Sequence, residues 1–267
     1  ISTGLVGSEM CIRDRDMSAY MDDIVLSLKK VLVDPIPEVR FASAKAIGSL
    51  VRGIGPSAVQ ELLPWFLETL KSDSTSVEKN GAAQALSEVL AVLGDEHLDE
   101  LMPEIILGCT QNVNIQEGYL TMFKYVPFAM EPAFQAYLPE ILPIVITALS
   151  NDVEGVREAA FNSAKAIIEI YATKSTSLLL PVIEKGILDP IWRIRESSVD
   201  LLGRLIFKLS GKSLQKAAED EEILSFTDHQ TKLMKEAIGE EQWHKILSLL
   251  YLLRSDGAYT VRTNALN

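Results

Sequence analysis

Four arginines have the type and spacing to do charge-assisted hydrogen bonding. Arg40, Arg157, Arg195 and Arg262 each directly follow a β-branched residue: Val39, Val156, Ile194 and Val261. Carboxylates precede them at short, repeated distances. Asp34, Asp189 and Asp256 lie five residues before Val39, Ile194 and Val261, and Asp152 lies four before Val156. Guanidinium–carboxylate pairs are strong and geometrically specific. The spacing therefore predicts a structural ladder in which Arg40, Arg157, Arg195 and Arg262 bond Asp34, Asp189, Asp256 and their equivalents between successive turns. The competing use of the same side chains is contact with phosphate or an acidic partner. Glu78 after Val77 and Gln116 after Ile115 occupy the arginine position and interrupt any continuous positive stripe.

Two further basic groups are candidate partner-binding surfaces. Trp192 and Arg193 begin one helix that also carries Arg204, joining an indole to positive charge. Lys29, Lys30, Lys45 and Arg52 form a second cluster, because helical neighbours three to four residues apart share a face. The plainer reading is that Trp192 covers the core and that the lysines are simply solvated.

Other chemistry is poorly supplied. The carboxylate pairs Asp22-Asp23, Asp95-Glu96 and Glu240-Glu241 are adjacent and diverge on a helix, so none makes a general acid/base site. His97, His229 and His244 are far apart, and Cys11 and Cys109 have no metal-ligand or disulfide spacing. No glycine-rich phosphate loop is present. The chain is expected to be no enzyme and to need no cofactor or metal.

These residues are positioned by a repeat. The β-branched markers at Val39, Val77, Ile115, Val156 and Ile194 are separated by 38, 38, 41 and 38 residues, and Val261 follows after 67. Pro64, Pro103, Pro143 and Pro181 each lie 12 or 13 residues upstream of their marker. Two markers in step at about 40 residues are the signature of a HEAT or armadillo solenoid. The fold predicted is all-α, a HEAT/armadillo-like α-solenoid of about six helical hairpins with the last truncated. Repeats one to five occupy residues 18–210, and the sixth begins over 240–267.

Within the repeats, Val39, Ala42, Ala46, Ile47 and Leu50 are expected to form the buried stripe of the first inner helix. The third unit is richer in rings, and its inner helix is expected over residues 115–130 with an interruption at Pro127. The fifth inner helix is expected to end at Gly211. Residues 211–239 then read as a charged insertion that accounts for the long last interval. Residues 1–17 match no repeat and read as a non-native or disordered leader, much like translated adapter sequence.

The net charge is −12. A protein that grips nucleic acid through its backbone needs a basic footprint, which only a local ridge could supply here. No run of apolar residues is long enough to span a bilayer, so the expectation is a cytoplasmic protein without membrane contact.

Several strings are then familiar, among them DPIPEVRFASAKAIGSLVRGIG, ELLPWFLETLKSD, EGYLTMFKYVPFAM and LLLPVIEKGILDPIWRIRESSVDLLGRLIF. Over residues 18–267 the chain resembles the HEAT-repeat region of the eukaryotic general-control translational activators. It is similar, more weakly, to the HEAT region of fungal elongation factor three. The resemblance implies a scaffold that associates with the ribosome and helps a starvation-responsive initiation-factor kinase to act, without being a kinase itself. Ribosome and kinase are then partners of the full-length protein, other protein partners are open, and so is direct contact with ribosomal RNA. None of that family's kinase-binding residues maps onto this chain. The alternative is a generic HEAT adaptor for transport or the cytoskeleton.

Overall fold

The computed structural model describes residues 20–55, 59–217, 232, 235–236 and 238–266. The leader at 1–17 and the acidic run at 219–222 lie outside the described residues. Every regular element among the described residues is helical. They fall into two compact units, residues 1–103 and 104–267.

The first unit holds α1 (Met21–Leu32), α2 (Pro37–Ile54), α3 (Val59–Lys71), α4 (Ser76–Leu93) and the start of α5 (Asp95–Gly108). α1 packs on α2 and α3 on α4, while the inner helices α2 and α4 pack on each other. Local signals set the ends. Pro37 occupies the first turn of α2, where its missing N–H is no loss. α2 and α4 stop at Gly55 and Gly94, whose φ angles of 89° and 96° suit glycine. Gly81 marks the tightest approach in this unit, since a Cβ there would lie 2.0 Å from the Leu32 carbonyl oxygen.

The buried stripe of α2 differs from the expected one. Ile47 is buried as expected, but Ala42 and Ala46 are exposed and Val39 and Leu50 half-buried. Arg40, Ser43, Ala44, Gly48 and Val51 are buried instead. The stripe includes Arg40 because its guanidinium is satisfied by backbone oxygens, described below. In α4 the apolar spacing predicts Val77, Ala82, Ala85, Leu86, Val89 and Leu90 in the core; the last five are fully buried, whereas Val77, in the first turn, is 37 % exposed.

The second unit holds α6 (Val113–Met122), α7 (Val126–Ala129), α8 (Glu131–Phe134), a 3-10 turn at Gln135–Tyr137, α9 (Leu138–Ala148), α10 (Glu154–Tyr171), α11 (Thr176–Ile187), α12 (Trp192–Ala217), α13 (Glu240–Leu253) and α14 (Tyr259–Asn264). The inner helices α6, α10, α12 and α14 pack in sequence, with α9 against α10 and α11 against α12. The third inner helix breaks sooner than expected, after Met122, and Pro127 sits in the first turn of α7. Rings fill the irregular stretch. Phe123 and Phe134 are 5.8 Å apart and Phe134 stacks on Tyr171 at 6.3 Å, all three fully buried. The Tyr171 hydroxyl donates to the Glu131 carbonyl at 2.6 Å.

Gly211 does not end the fifth inner helix; α12 continues through it to Ala217. One glycine in a helix costs only about 1 kcal/mol relative to alanine, which is too little to stop one supported by packing on its neighbours. The sixth hairpin is docked through a buried carboxylate. Gln242 and Lys245 of α13 both donate to Glu184 of α11, the lysine at 2.8 Å.

Candidate functional site

The recurring inter-helix turn sets where the inner helices begin. In four turns one guanidinium nitrogen donates twice to main-chain oxygens. Arg40 Nη1 reaches the carbonyls of Asp34 and Pro35 at 2.6 and 2.9 Å. Arg157 Nη1 reaches Asn151 and Asp152 at 2.7 and 2.8 Å. Arg195 Nη1 reaches Asp189 and Pro190, each at 2.8 Å. Arg262 Nη1 reaches Asp256 and Gly257 at 2.6 and 3.1 Å. The Asp or Asn six residues upstream folds its own side chain back onto the chain two residues later, at Ile36, Val153, Ile191 and Ala258. Each turn is thus closed by an arginine below and an Asx turn above.

The expected Arg-to-Asp ladder is corrected by this geometry. Asn151, rather than Asp152, holds the repeated upstream position. Among the described residues only Arg195 of these four shows a carboxylate rung to a neighbouring repeat: Nε and Nη2 donate to Asp256 at 2.7 and 2.8 Å. That bidentate pair holds the Asp256 carboxyl below the usual carboxylate range, helped by the Ala258 N–H and the charges of Arg195 and Arg262, against burial. A neutral rung of the same kind joins Asn151 Nδ2 to Gln116 Oε1 at 3.0 Å. Among the described residues Arg40 and Arg157 hydrogen-bond to main-chain oxygens, and the Arg40 Nε is buried with no partner there. The acceptors are carbonyls because the chain reverses immediately beneath each arginine.

Glu78 departs from arginine because its turn is closed differently. Its backbone N–H donates to Thr75 Oγ1 while its carboxylate accepts from the Thr75 N–H at 2.8 Å, a reciprocal capping box.

The proposed lysine cluster is divided between two helix layers. Lys29 of α1 lies over the Trp65 ring of α3 at 5.1 Å. Lys45 of α2 pairs with Glu88 of α4 at 2.7 Å. Lys30 and Arg52 are exposed on α1 and α2. Trp192 is 41 % exposed, and Arg193 lies over its ring at 5.1 Å. Arg204 is not beside them, since twelve residues of helix separate it from Trp192 by about 18 Å.

Arg204 instead belongs to an open groove of about 1080 Å³ on the inner helices of the second unit. Lys124 and Phe128 come from the α6–α7 region, Lys165, Ala166, Ile168 and Glu169 from α10, and Val199, Asp200, Arg204, Phe207 and Lys208 from α12. Asn264 of α14 closes one end, and Asn162 also lines it. None of the lining residues belongs to the outer helices α9 and α11. Four cationic and two anionic side chains line it, in a chain whose net charge is −12.

The groove's charges are arranged over rings. Lys165 and Arg204 both approach the Phe161 ring, at 5.0 and 5.8 Å. Arg204 pairs with Asp200 at 3.3 Å, and Lys208 with Glu169 across α12 and α10. Burial lowers the Lys165 pKa, and the positive charges of Arg204 and Lys124 act in the same direction, against Asp200 and Glu158. Phe128 and Phe207 are 56 % and 76 % exposed beside these cations. Aligning the inner helices on their markers would have revealed the pattern. Lys124 and Lys165 each lie nine residues after Ile115 and Val156, and Phe128 and Phe207 thirteen after Ile115 and Ile194.

Among the described residues no cluster of His, Cys, Asp and Glu is placed to hold a metal ion. Burial pushes the Cys109 thiol up to about 12, which suppresses thiolate chemistry. No helix among the described residues is long and apolar enough to cross a membrane.

Comparison with known proteins agrees with the repeat. Residues 111–210 match the family described as the EF3 N-terminal HEAT repeat, and residues 37–89 a HEAT-like repeat. The human protein called stalled ribosome sensor GCN1 is 39% identical over 98% of this chain. The Dictyostelium discoideum eIF-2-alpha kinase activator GCN1 is 35% identical over 100% of it. The chain spans 10% of the length of each of these curated relatives. A crystal structure of importin beta covers 95% of the chain at a TM-score of 0.51 and 16% identity, with 31% of that protein covered, which is a likeness of fold. The chain is therefore an all-α solenoid segment of the HEAT-repeat class, homologous along nearly its full length to one stretch of the GCN1 proteins.

Proposed function

We propose that this chain is a non-enzymatic scaffold segment of a cytoplasmic, ribosome-associated translational regulator that promotes activation of an eIF-2-alpha kinase during amino-acid starvation or ribosome stalling. The observation that carries the reading is homology along the whole chain to proteins named for sensing stalled ribosomes and activating that kinase. The turns contribute as well as the helices, since two of the strings that carry the resemblance include the reversals closed by Arg40 and Arg195. The repeats supply surface rather than catalytic groups. Arginines that would otherwise advertise an anion site are bound to their own turns. Importin beta, at 16% identity, supports the fold and gives no reason to assign transport cargo.

The test is made in the complete protein. The segment is replaced by an unrelated HEAT array of equal repeat number, and two responses are read in starved cells: co-sedimentation with ribosomes and phosphorylation of initiation factor 2α. Loss of either response, at unchanged protein abundance, is the expected result. Full retention of both would remove this segment from the scaffold's working parts.

A further inference from the structure

The second unit's groove has a chemistry that the repeat does not require. Helix packing needs small and aliphatic residues on the inner helices, and those are supplied elsewhere by Ala160, Ala164, Ile167 and Leu202, all buried. It does not need Lys124, Lys165, Arg204 and Lys208 turned to one opening, with Phe128 and Phe207 left exposed beside them. Like charges gathered in this way raise the free energy of the empty groove, and an anion entering it lowers that energy. Burial is the main cause that lowers the Lys165 pKa there, with Arg204 and Lys124 acting in the same direction against Asp200 and Glu158.

We propose that the groove is a docking site for an acidic peptide segment of another protein carrying at least one large apolar side chain. The rim supplies the ammonium and guanidinium groups, the exposed phenylalanines receive the apolar anchor, and Ile168 and Val199 form its aliphatic floor. Asn162 and Asn264 add amides that both donate and accept, as an extended peptide main chain requires. Charge complementarity fixes the sign of the occupant.

A peptide fits better than an RNA strand. Glu169 and Asp200 stand inside the groove and already engage Lys208 and Arg204. A continuous phosphate backbone meets those carboxylates at close range, whereas a peptide can place neutral residues opposite them. Nucleic-acid grooves also present a basic footprint over a longer track, and this chain has 37 acidic residues against 25 basic ones. The inference rests on the scaffold reading only in taking the occupant to be a protein.

The test uses this chain and a fluorescein-labelled peptide of Asp and Glu around one central Phe, followed by anisotropy. Saturable binding is expected, and Arg204→Glu with Lys208→Glu is expected to weaken it by about tenfold or more. Phe207→Ala, at a position 76 % exposed and therefore safe for folding, is expected to weaken it severalfold. Lys30→Glu with Arg52→Glu on the first unit is the control and leaves binding unchanged. Circular dichroism checks each variant's fold, and Arg204→Gln with Lys208→Gln replaces the reversal if that variant unfolds. Absence of binding, equal loss in the control pair, or indifference to Phe207→Ala overturns the proposal. So does selective binding of a labelled oligouridylate under the same conditions. Ribosome co-sedimentation of the complete protein is read separately, so failure of the groove and failure of the scaffold reading are distinguishable.

Discussion

Arg195 carries a heavier load than its three counterparts. One of its nitrogens closes its own turn, as theirs do, while the other two grip Asp256 in the following repeat. The side chains are only 17 % and 7 % exposed, so water screens the pair weakly. Arg195→Lys cannot reproduce both functions, because an ammonium has no planar fork. Its expected cost is about 1.5–3 kcal/mol, the range for hydrogen bonds to charged groups, measured by urea unfolding. The same pair predicts a pH effect. The Asp256 carboxyl is depressed in the folded chain, chiefly by the Arg195 hydrogen bonds. Its contribution is therefore complete above the unfolded value of about 3.9 and is lost as pH falls through the lower folded value. An acid unfolding series comparing the native chain with Asp256→Asn should converge at low pH and separate above about 4. The arginine positions were legible in the sequence, but their acceptors were not. Every residue carries a carbonyl, so residue type could not reveal that the main-chain oxygens of Asp34 and Asp189, rather than their carboxylates, receive the guanidinium.

At the scale of the helix, close approach governs what each position tolerates. Gly81 and Gly203 both lie inside inner helices and look equivalent in sequence. A Cβ at Gly81 would meet the Leu32 carbonyl oxygen at 2.0 Å, whereas nothing lies within 4 Å of one at Gly203. Gly81→Ala is expected to destabilise by about 1–3 kcal/mol through overpacking. Gly203→Ala is expected to stabilise by about 0.5–1 kcal/mol through helix propensity. Thermal unfolding of the two variants should shift in opposite directions. The helices themselves were legible from apolar spacing, proline at the first turn and glycine after the last. The exposed face of α2 was less so. Apolar periodicity placed Ala42 and Ala46 inside, because it had no means of recognising Arg40 as a satisfied buried residue. The groove went unseen for a related reason. Its cations come from three stretches of chain, the α6–α7 region, α10 and α12, and only Arg204 stands out within a single string.

Across the whole chain, the repeat makes stability local. Each hairpin contacts mainly its neighbours, so stability is a sum of repeat and nearest-neighbour contributions. Gly81→Ala should therefore weaken hydrogen-exchange protection in α2 and α4 while leaving α10 and α12 protected and peptide binding by the groove unaltered. Equal loss of protection in both regions would contradict a nearest-neighbour stack. The architecture and the relationship to the general-control activators were legible early, because period, turns and inter-marker strings agreed. The long last interval carried a different lesson. Arg195 and Asp256 join the fifth and sixth hairpins side chain to side chain although 61 positions separate them along the chain. Register there is set by that clasp and by Glu184, independently of how much polypeptide runs between α12 and α13. Loop-closure entropy grows slowly with chain length, by about 0.6 kcal/mol per doubling. The junction is thus a place where evolution or an engineer can change chain length at little thermodynamic penalty, a permissive splice point in a fold whose other intervals are held near 38 residues.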